Sequence, residues 1–370
     1  MIEKNLLKNE ESAIFALRRL YQSFGYQQFK MSKFEEYDLY LRNKDFLVSD
    51  HVITFTDTNG RLMALKPDVT LSIVKNSKDT PGCVQKVYYN ENVYRVSESS
   101  HSYKEIMQVG LECLGDVDDY AIAEVVTLAA RSLLEVSTES ILDVSDLGLL
   151  SAAIEETGIT GDARKALLRC VGEKNLHGMT DICTAAGVEP AKILPLKALM
   201  SAYGTPSRVL ATLKEQLPGA HWQTKLARLE RILAVATVPN LRLDFSVVGD
   251  MNYYNGIVFK GFVSGIPQSV LSGGQYDLLL QKSGRSAGAI GFALYMDLLE
   301  DWLTPRVTYD VDVVLLYDPA TDLQRLSAVV NELTAQGLSV TAQRSVPEKM
   351  KYRQLMQLTG SEVKILEAHA

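Results

Sequence analysis

The run Lys104–Gly115, K-E-I-M-Q-V-G-L-E-C-L-G, alternates in a way that suits an extended strand. Successive strand side chains point to opposite faces, so Met107, Val109, Leu111 and Cys113 share one face. That face is wholly apolar and has to be core. The opposite face presents Gln108, Gly110 and Glu112, with Gly110 leaving a gap between an amide and a carboxylate. A small ligand carrying N–H donors can lie in that gap, with Glu112 accepting a hydrogen bond that is strong if the ligand is charged. Taken alone, the alternation favours a plainer reading, a solvated polar face.

Residues elsewhere shift the balance toward a binding site. Arg95 ends a strand rich in aromatics and can grip a carboxylate in bidentate fashion. Asp68 and Thr70 stand at a helix start, where Asp68 can hold an ammonium group. Tyr254 and Gly256 repeat the pattern of a polar tip beside a gap on a second strand. Gly273-Gly274, followed by Tyr276 and Asp277, reads as a tight turn able to bring backbone close to a ligand. Singly, each has a structural explanation: a surface ion pair for Arg95, a helix cap for Asp68, packing for the tyrosines.

Along the chain, Ile14, Leu17, Tyr21 and Phe24 predict a first helix that Gly25 closes. Asn59-Gly60 between Val52–Phe55 and Leu62–Leu65 predicts a hairpin, both turn residues accepting positive φ. Pro67 suits the start of a helical run over Val69–Val74. Strands follow at Val84–Tyr89, Val93–Val96 and Lys104–Leu114, then a helix from about Asp119 to Leu134. From Asp146 to about Ala236 helical patterns dominate, marking an insertion. Strands return at Leu241–Val248, Tyr253–Phe262 and Gln268–Leu271; Gly273-Gly274 then breaks the chain and Ala287–Gly291 opens a last helix. After Pro305 come strand Val311–Tyr317, helix Asp322–Gln336 and strand Leu338–Thr341. The fold class is therefore α+β, with a core over 1–305, a helical insertion at about 146–236 and a small α/β module over 306–370.

Composition narrows the function. The 370 residues, 46% hydrophobic and 22% charged, suit two or three globular domains. A net charge of -7 and the lack of a Lys/Arg block argue against a protein that holds nucleic acid, where phosphate neutralisation supplies most affinity. No stretch is apolar enough to span a bilayer, and residues Glu3, Lys4 and Asn5 leave no room for a signal h-region, so the chain reads as cytoplasmic. Cys83, Cys113, Cys170 and Cys183 lack CxxC or histidine spacing and read as structural thiols. Nucleotide-loop, zinc-protease and serine-hydrolase motifs are absent, so no metal or cofactor is expected.

The order of the singled-out residues resembles that of histidyl-tRNA synthetases. Leu65-Lys66-Pro67-Asp68-Val69-Thr70 resembles their L-R-P-E-G-T, and Tyr94-Arg95 with Gln108–Glu112 resembles motif 2, F-R-x-E…F-x-Q-x-G-x-E. Asn252–Phe259 resembles L-D-Y-Y-T-G-T-V-F, Ser272–Asp277 resembles G-G-G-R-Y-D, and Gly291-Phe292-Ala293 opens a counterpart of motif 3. The likeness covers roughly residues 5 to 303, and the tail is similar to a shortened anticodon-binding domain. It implies a class II aminoacyl-tRNA synthetase-like sheet of six antiparallel strands flanked by helices, usually dimeric. It also implies a histidine pocket in which Asp68, Thr70 and Gln108 hold the amino-acid end and Glu112, Tyr254 and Tyr276 surround the imidazole.

The departures are as informative. Leu298 stands where motif 3 has the arginine that stacks on ATP, and Tyr295 where a glycine makes room. Gly249 replaces the arginine ahead of L-D-Y-Y, and Ser99–Lys104 lacks the arginines of the motif 2 loop. Adenylyl transfer depends on positioned positive charge, so these losses should abolish it. This pattern, with the S-D-L-G run at Ser145–Gly148, resembles the regulatory subunits of ATP phosphoribosyltransferase. What that implies is a non-catalytic protein that supports a short catalytic subunit in the first step of histidine biosynthesis and relays histidine feedback. It would be a homodimer within a hetero-oligomer, with no tRNA partner. A working histidyl-tRNA synthetase, a paralogue activating an amino acid for another acceptor, and a stand-alone amino-acid-binding scaffold are the other readings.

Overall fold

Residues 9–44, 52–96, 101–249, 253–299, 309–360 and 362–369 are described by a computed structural model. Glu3, Lys4, Asn5, Ser99, Ser100, Asn252 and Pro305, all used in the sequence argument, lie outside them. In chain order, α1 (Asn9–Ser23) is followed by β1 (Gln27–Gln28), β2 (Phe34–Glu36) and α2 (Tyr37–Arg42). Then come β3 (Thr54–Thr56), β4 (Leu62–Leu65), α3 (Thr70–Asn76), β5 (Val84–Val96), β6 (Tyr103–Gly115) and α4 (Asp119–Val136). β7 (Ser140–Asp146) runs into α5 (Leu147–Glu156), α6 (Gly161–Gly172), α7 (Leu176–Ala185) and α8 (Pro190–Ser201), then β8 (Tyr203–Gly204), α9 (Pro206–Gln216) and α10 (Ala220–Val235). β9 (Leu241–Asp244), β10 (Ile257–Val263), β11 (Leu271–Gln275), α11 (Asp277–Lys282) and β12 (Gly288–Tyr295) complete this part. By internal contacts the chain forms two compact units, Met1–Leu303 and Thr304–Ala370.

The main sheet has the order β1-β5-β6-β12-β11-β10-β7-β9-β8. The six strands from β5 to β7 in that order are antiparallel throughout, while β1 and β9 join parallel to their neighbours. Val109, Leu111 and Cys113 on β6 pack into one core cluster with Val125, Leu128 and Leu133 of α4. Each such fully buried side chain is worth roughly 1.5–3 kcal/mol, which fixes which face of β6 points inward. The amide of Ala121 donates to the Asp118 carboxylate, capping α4 at its first turn. β2, β4 and β3 form a separate three-stranded sheet. Among the described residues no helix is long and apolar enough to cross a membrane.

Several local expectations need correction. Gly273 and Gly274 lie inside β11, and Ala287–Gly291 leads into β12, a central strand rather than a helix. A strand buried on both faces shows no alternation, so its small residues read as a helix start. Tyr253 and Tyr254 sit ahead of β10, not in it, and β9 stops at Asp244, whose side chain accepts from the Ser246 amide and hydroxyl. The run expected at Gln268–Leu271 becomes a strand at Leu271–Gln275. Val84–Val96 is one strand, because Asn90, Glu91 and Asn92 keep their pairing with β6 despite their polarity. In the hairpin only Gly60 takes positive φ, at 80°; Asp57 orders the rest by accepting from Asn59 and Arg61 amides. Pro67 precedes α3 by three residues, and Asp68 marks the helix start by accepting from the Leu71 amide.

In the second unit, β13 (Val311–Tyr317), α12 (Leu323–Ala335), β14 (Val340–Gln343), β15 (Tyr352–Thr359) and β16 (Glu362–Ala368) form a sheet of order β14-β13-β15-β16. The last two strands were not anticipated.

Candidate ligand-binding site

Glu112 occupies the middle of the sheet, its register placing it between Val87 on β5 and Gly291 on β12. It is 2% exposed. Oε1 accepts from the Thr70 hydroxyl at 2.9 Å and Oε2 from the Tyr276 hydroxyl at 2.6 Å. Thr70 is the first residue of α3, and Tyr276 follows the last residue of β11. A Cβ at position 291 would lie 1.7 Å from Glu112 Oε2, so glycine there makes room for the carboxylate. Burial pushes the Glu112 carboxyl up to about 8; the hydrogen bonds from Tyr276 and Thr70 oppose the rise, and the Asp68 charge adds to it.

The surroundings of Glu112 are a recess of about 270 Å³. Asp68, Thr70, Arg95, Gln108, Glu112, Tyr254 and Tyr276 all line it, so the structure brings the seven expected residues together. Gln108 is 3% exposed, and the face it shares with Glu112 is buried rather than solvated. Burial likewise raises the Asp68 carboxyl, with the Leu71 amide and Arg95 pulling it back. Arg95 donates from Nε to the Pro67 carbonyl at 3.0 Å, which holds its guanidinium beside Asp68's segment. Two carboxyl groups and one guanidinium in a small recess walled largely by tyrosines match a ligand with an ammonium, a carboxylate and a second N–H-bearing group. The volume lies near the lower end, about 300 Å³, of ordinary small-molecule sites, enough for one small metabolite.

The gaps predicted at two glycines are not open. A Cβ on Gly110 would meet the Phe292 carbonyl at 2.1 Å and the Tyr89 hydroxyl at 2.6 Å, so that space belongs to the Tyr89–Phe292 hydrogen bond. At Gly256 the space is taken by the Gln275 side-chain carbonyl, which accepts from the Ile257 amide. Tyr89, Tyr253, Ser272, Gly291 and Tyr295 also line the recess and were missed as lining residues. Tyr253 carried a signal in its place beside Tyr254, against which its ring packs edge-on at 4.6 Å, and Ser272, Gly291 and Tyr295 carried one in their places within the motif counterparts; Tyr89 carried none.

At the positions where charge is missing, the structure is equally plain. Tyr295, from β12, shares a 2.7 Å hydrogen bond with the Ser272 hydroxyl and lines the recess. Leu298 packs partly buried against the main core, and Gly249 takes a φ of 53° beside the Tyr254 ring. Among the described residues, Arg95 is the one cation lining the recess. Arg285 ties the segment after α11 to the end of α3. Its Nη1 donates to the Val74 carbonyl at 3.1 Å and the Ser77 hydroxyl at 2.8 Å, and its guanidinium pairs with Asp79.

A six-stranded antiparallel platform with the ligand recess on it defines a class II aminoacyl-tRNA synthetase-like core. The histidyl-tRNA synthetase family model matches residues 4–299, and the chain belongs to that family. Relatives under two different names are similar to it. The ATP phosphoribosyltransferase regulatory subunit of Oceanobacillus iheyensis is 24% identical over 318 residues, 83% of this chain and 78% of that one. The histidine–tRNA ligase of Methanococcus maripaludis is 26% identical over 309 residues, 79% of this chain and 71% of that one. Two solved structures share the fold. An ATP phosphoribosyltransferase regulatory subunit/histidyl-tRNA synthetase from Bacillus halodurans superposes with a TM-score of 0.74 at 21% identity, covering 94% of this chain and 93% of that one. The ATP phosphoribosyl transferase (HisG:HisZ) complex from Thermotoga maritima contains a chain matching at a TM-score of 0.59 and 18% identity, covering 77% of this chain and 96% of that one.

Proposed function

We propose that this chain is the regulatory subunit of an ATP phosphoribosyltransferase, acting in the first step of histidine biosynthesis beside a short catalytic subunit. One observation carries the reading. An amino-acid-sized recess holds buried Glu112 and half-buried Asp68 and is walled by Tyr295, where the synthetase motif has a glycine that makes room, while Gly249 and Leu298 stand where that family has the arginines that handle ATP. Binding of an amino acid needs the first half; adenylation needs the second, because positioned cations lower the barrier to phosphoryl and adenylyl transfer. The synthetase reaction is therefore lost in this chain, and tRNA is not its partner. Relatives carrying the regulatory-subunit name support the assignment, as does the fold shared with a chain of the Thermotoga complex.

Free histidine is the ligand on this reading. Its ammonium lies toward Asp68, its carboxylate toward Arg95 and Gln108, and its ring toward Glu112, Tyr254 and Tyr276. Histidine bound more tightly in one arrangement of the assembly than in another shifts their populations, and so the partner's turnover. The working unit is a homodimer within a hetero-oligomer. The test is reconstitution with a short catalytic subunit: the two co-purify, turnover rises, and histidine lowers it. An unchanged rate at saturating protein defeats the proposal.

The Methanococcus ligase supports a second reading, a working histidyl-tRNA synthetase. Histidine-dependent ATP–pyrophosphate exchange by the pure chain would establish it in place of the first.

A further inference from the structure

Tyr254 lines a second cavity as well, of about 660 Å³, between the helices α5 and α6 and the segment ahead of β10. Arg164 and Lys165 of α6 stand on its wall, and among the described residues no Asp or Glu lines it. That is notable in a chain of net charge -7. The half-buried Arg164 guanidinium has no ion pair or hydrogen bond among the described residues. Lys165 pairs with Asp162 at 3.0 Å, but the two side chains are 80% and 96% exposed, so the pair is weak and easily given up. Leu168, Val248 and the Tyr254 ring supply an apolar wall. Gly249 adds no side chain, and the cavity runs up to that ring.

We infer that this cavity is a second ligand site, for a small phosphate monoester with a planar or apolar body. Two cations lining one cavity match a phosphate dianion better than a single carboxylate, and the Arg164 guanidinium can donate two parallel hydrogen bonds to it. The body packs on Leu168, Val248 and Tyr254. Tyr254 is also a wall of the Glu112 recess, so the two sites share one side chain. This site does not depend on the regulatory-subunit reading, since it needs neither histidine nor a partner.

The probe is AMP, titrated calorimetrically into the full chain, with adenosine and inorganic phosphate as controls. AMP binds and adenosine does not, while phosphate alone binds more weakly than AMP. Arg164→Glu and Lys165→Glu each weaken AMP about tenfold or more, the scale of one charged hydrogen bond, and Glu112→Gln changes it less than about twofold. Ser151→Phe, which puts a ring into the cavity without changing charge, weakens AMP binding while the circular dichroism spectrum stays as in the parent. Absence of AMP binding at millimolar concentration, or binding untouched by all three cavity variants, overturns the site. AMP binding that Glu112→Gln abolishes moves it to the first recess and overturns it too. Equal affinity for phosphate and AMP removes the role given to the apolar wall.

Discussion

Tyr276 and Glu112 are 164 positions apart in the chain and meet at 2.6 Å, hydroxyl to carboxyl, with no solvent between them. The pairing joins the strand that shapes the recess to the segment that closes it, and it sets how the protein answers to pH.

Glu112 has its acidity shifted to about 8 in the folded chain, against 4.5 for the ordinary side chain. Between those values the folded state keeps a proton that the unfolded chain releases. Stability from this group is therefore full below the ordinary value and is lost as pH rises through about 8. One group contributes at most about 1.4 kcal/mol per pH unit. Glu112→Gln should flatten the fall in urea midpoint between about pH 5 and 8, other raised carboxyls such as Asp68 and Asp146 being common to both proteins. Parallel curves for parent and variant would contradict the assignment.

Histidine should raise the melting temperature of the pure chain, and Glu112→Ala should remove most of the rise. Tyr276→Phe and Thr70→Ala should each remove part of it, about 0.5–1.5 kcal/mol for one lost hydroxyl. If histidine produces neither a shift nor calorimetric heat, the recess does not hold it in the isolated chain.

Gly291→Ala should destabilise the fold by about 1–3 kcal/mol, the usual cost of forcing atoms into packed space. The new Cβ falls against Glu112 Oε2 and also 2.5 Å from the Leu111 carbonyl, so Glu112→Ala should relieve part of the loss but not all of it. A double-mutant cycle by urea unfolding reads the coupling; additive losses would mean that the two positions do not meet.

Lys66 is wholly buried and its ammonium lies 3.0 Å from Glu91 Oε2. Burial lowers the Lys66 pKa, and Glu91 works against that shift. Lys66→Met should cost about 3 kcal/mol by stranding the acid, and Glu91→Leu added to it should recover much of the loss. Equal stability of the single and double variants would contradict this.

The sequence is a good guide where one face of an element differs from the other. β6 is legible because α4 covers one side and the recess the other, so its pattern alternates. β12 has neighbours on both edges and is covered on both faces, so nothing in its own residues distinguishes strand from helix. Gly273 looked like punctuation. Its real constraint comes from another strand, since a Cβ there would lie 2.3 Å from the Gly291 carbonyl. The gap at Gly110 was visible, but its occupant, Tyr89, becomes a neighbour only through the β5–β6 register. Of the site, the seven expected residues were found on recognisable motifs, whereas Ser272 and Tyr295, on the same motifs, were not read as lining. Tyr89 lines it through the pairing of β5 with β6, which no local pattern records.

Arg285 has a consequence beyond holding two helix ends together. Thr70 begins the helix whose tail Arg285 grips, and Tyr276 begins the helical segment from which Arg285 emerges. The two hydroxyls on Glu112 thus belong to one stapled frame, and a guest that takes the carboxyl for itself releases both together. The recess is latched in a single stroke rather than by two independent catches.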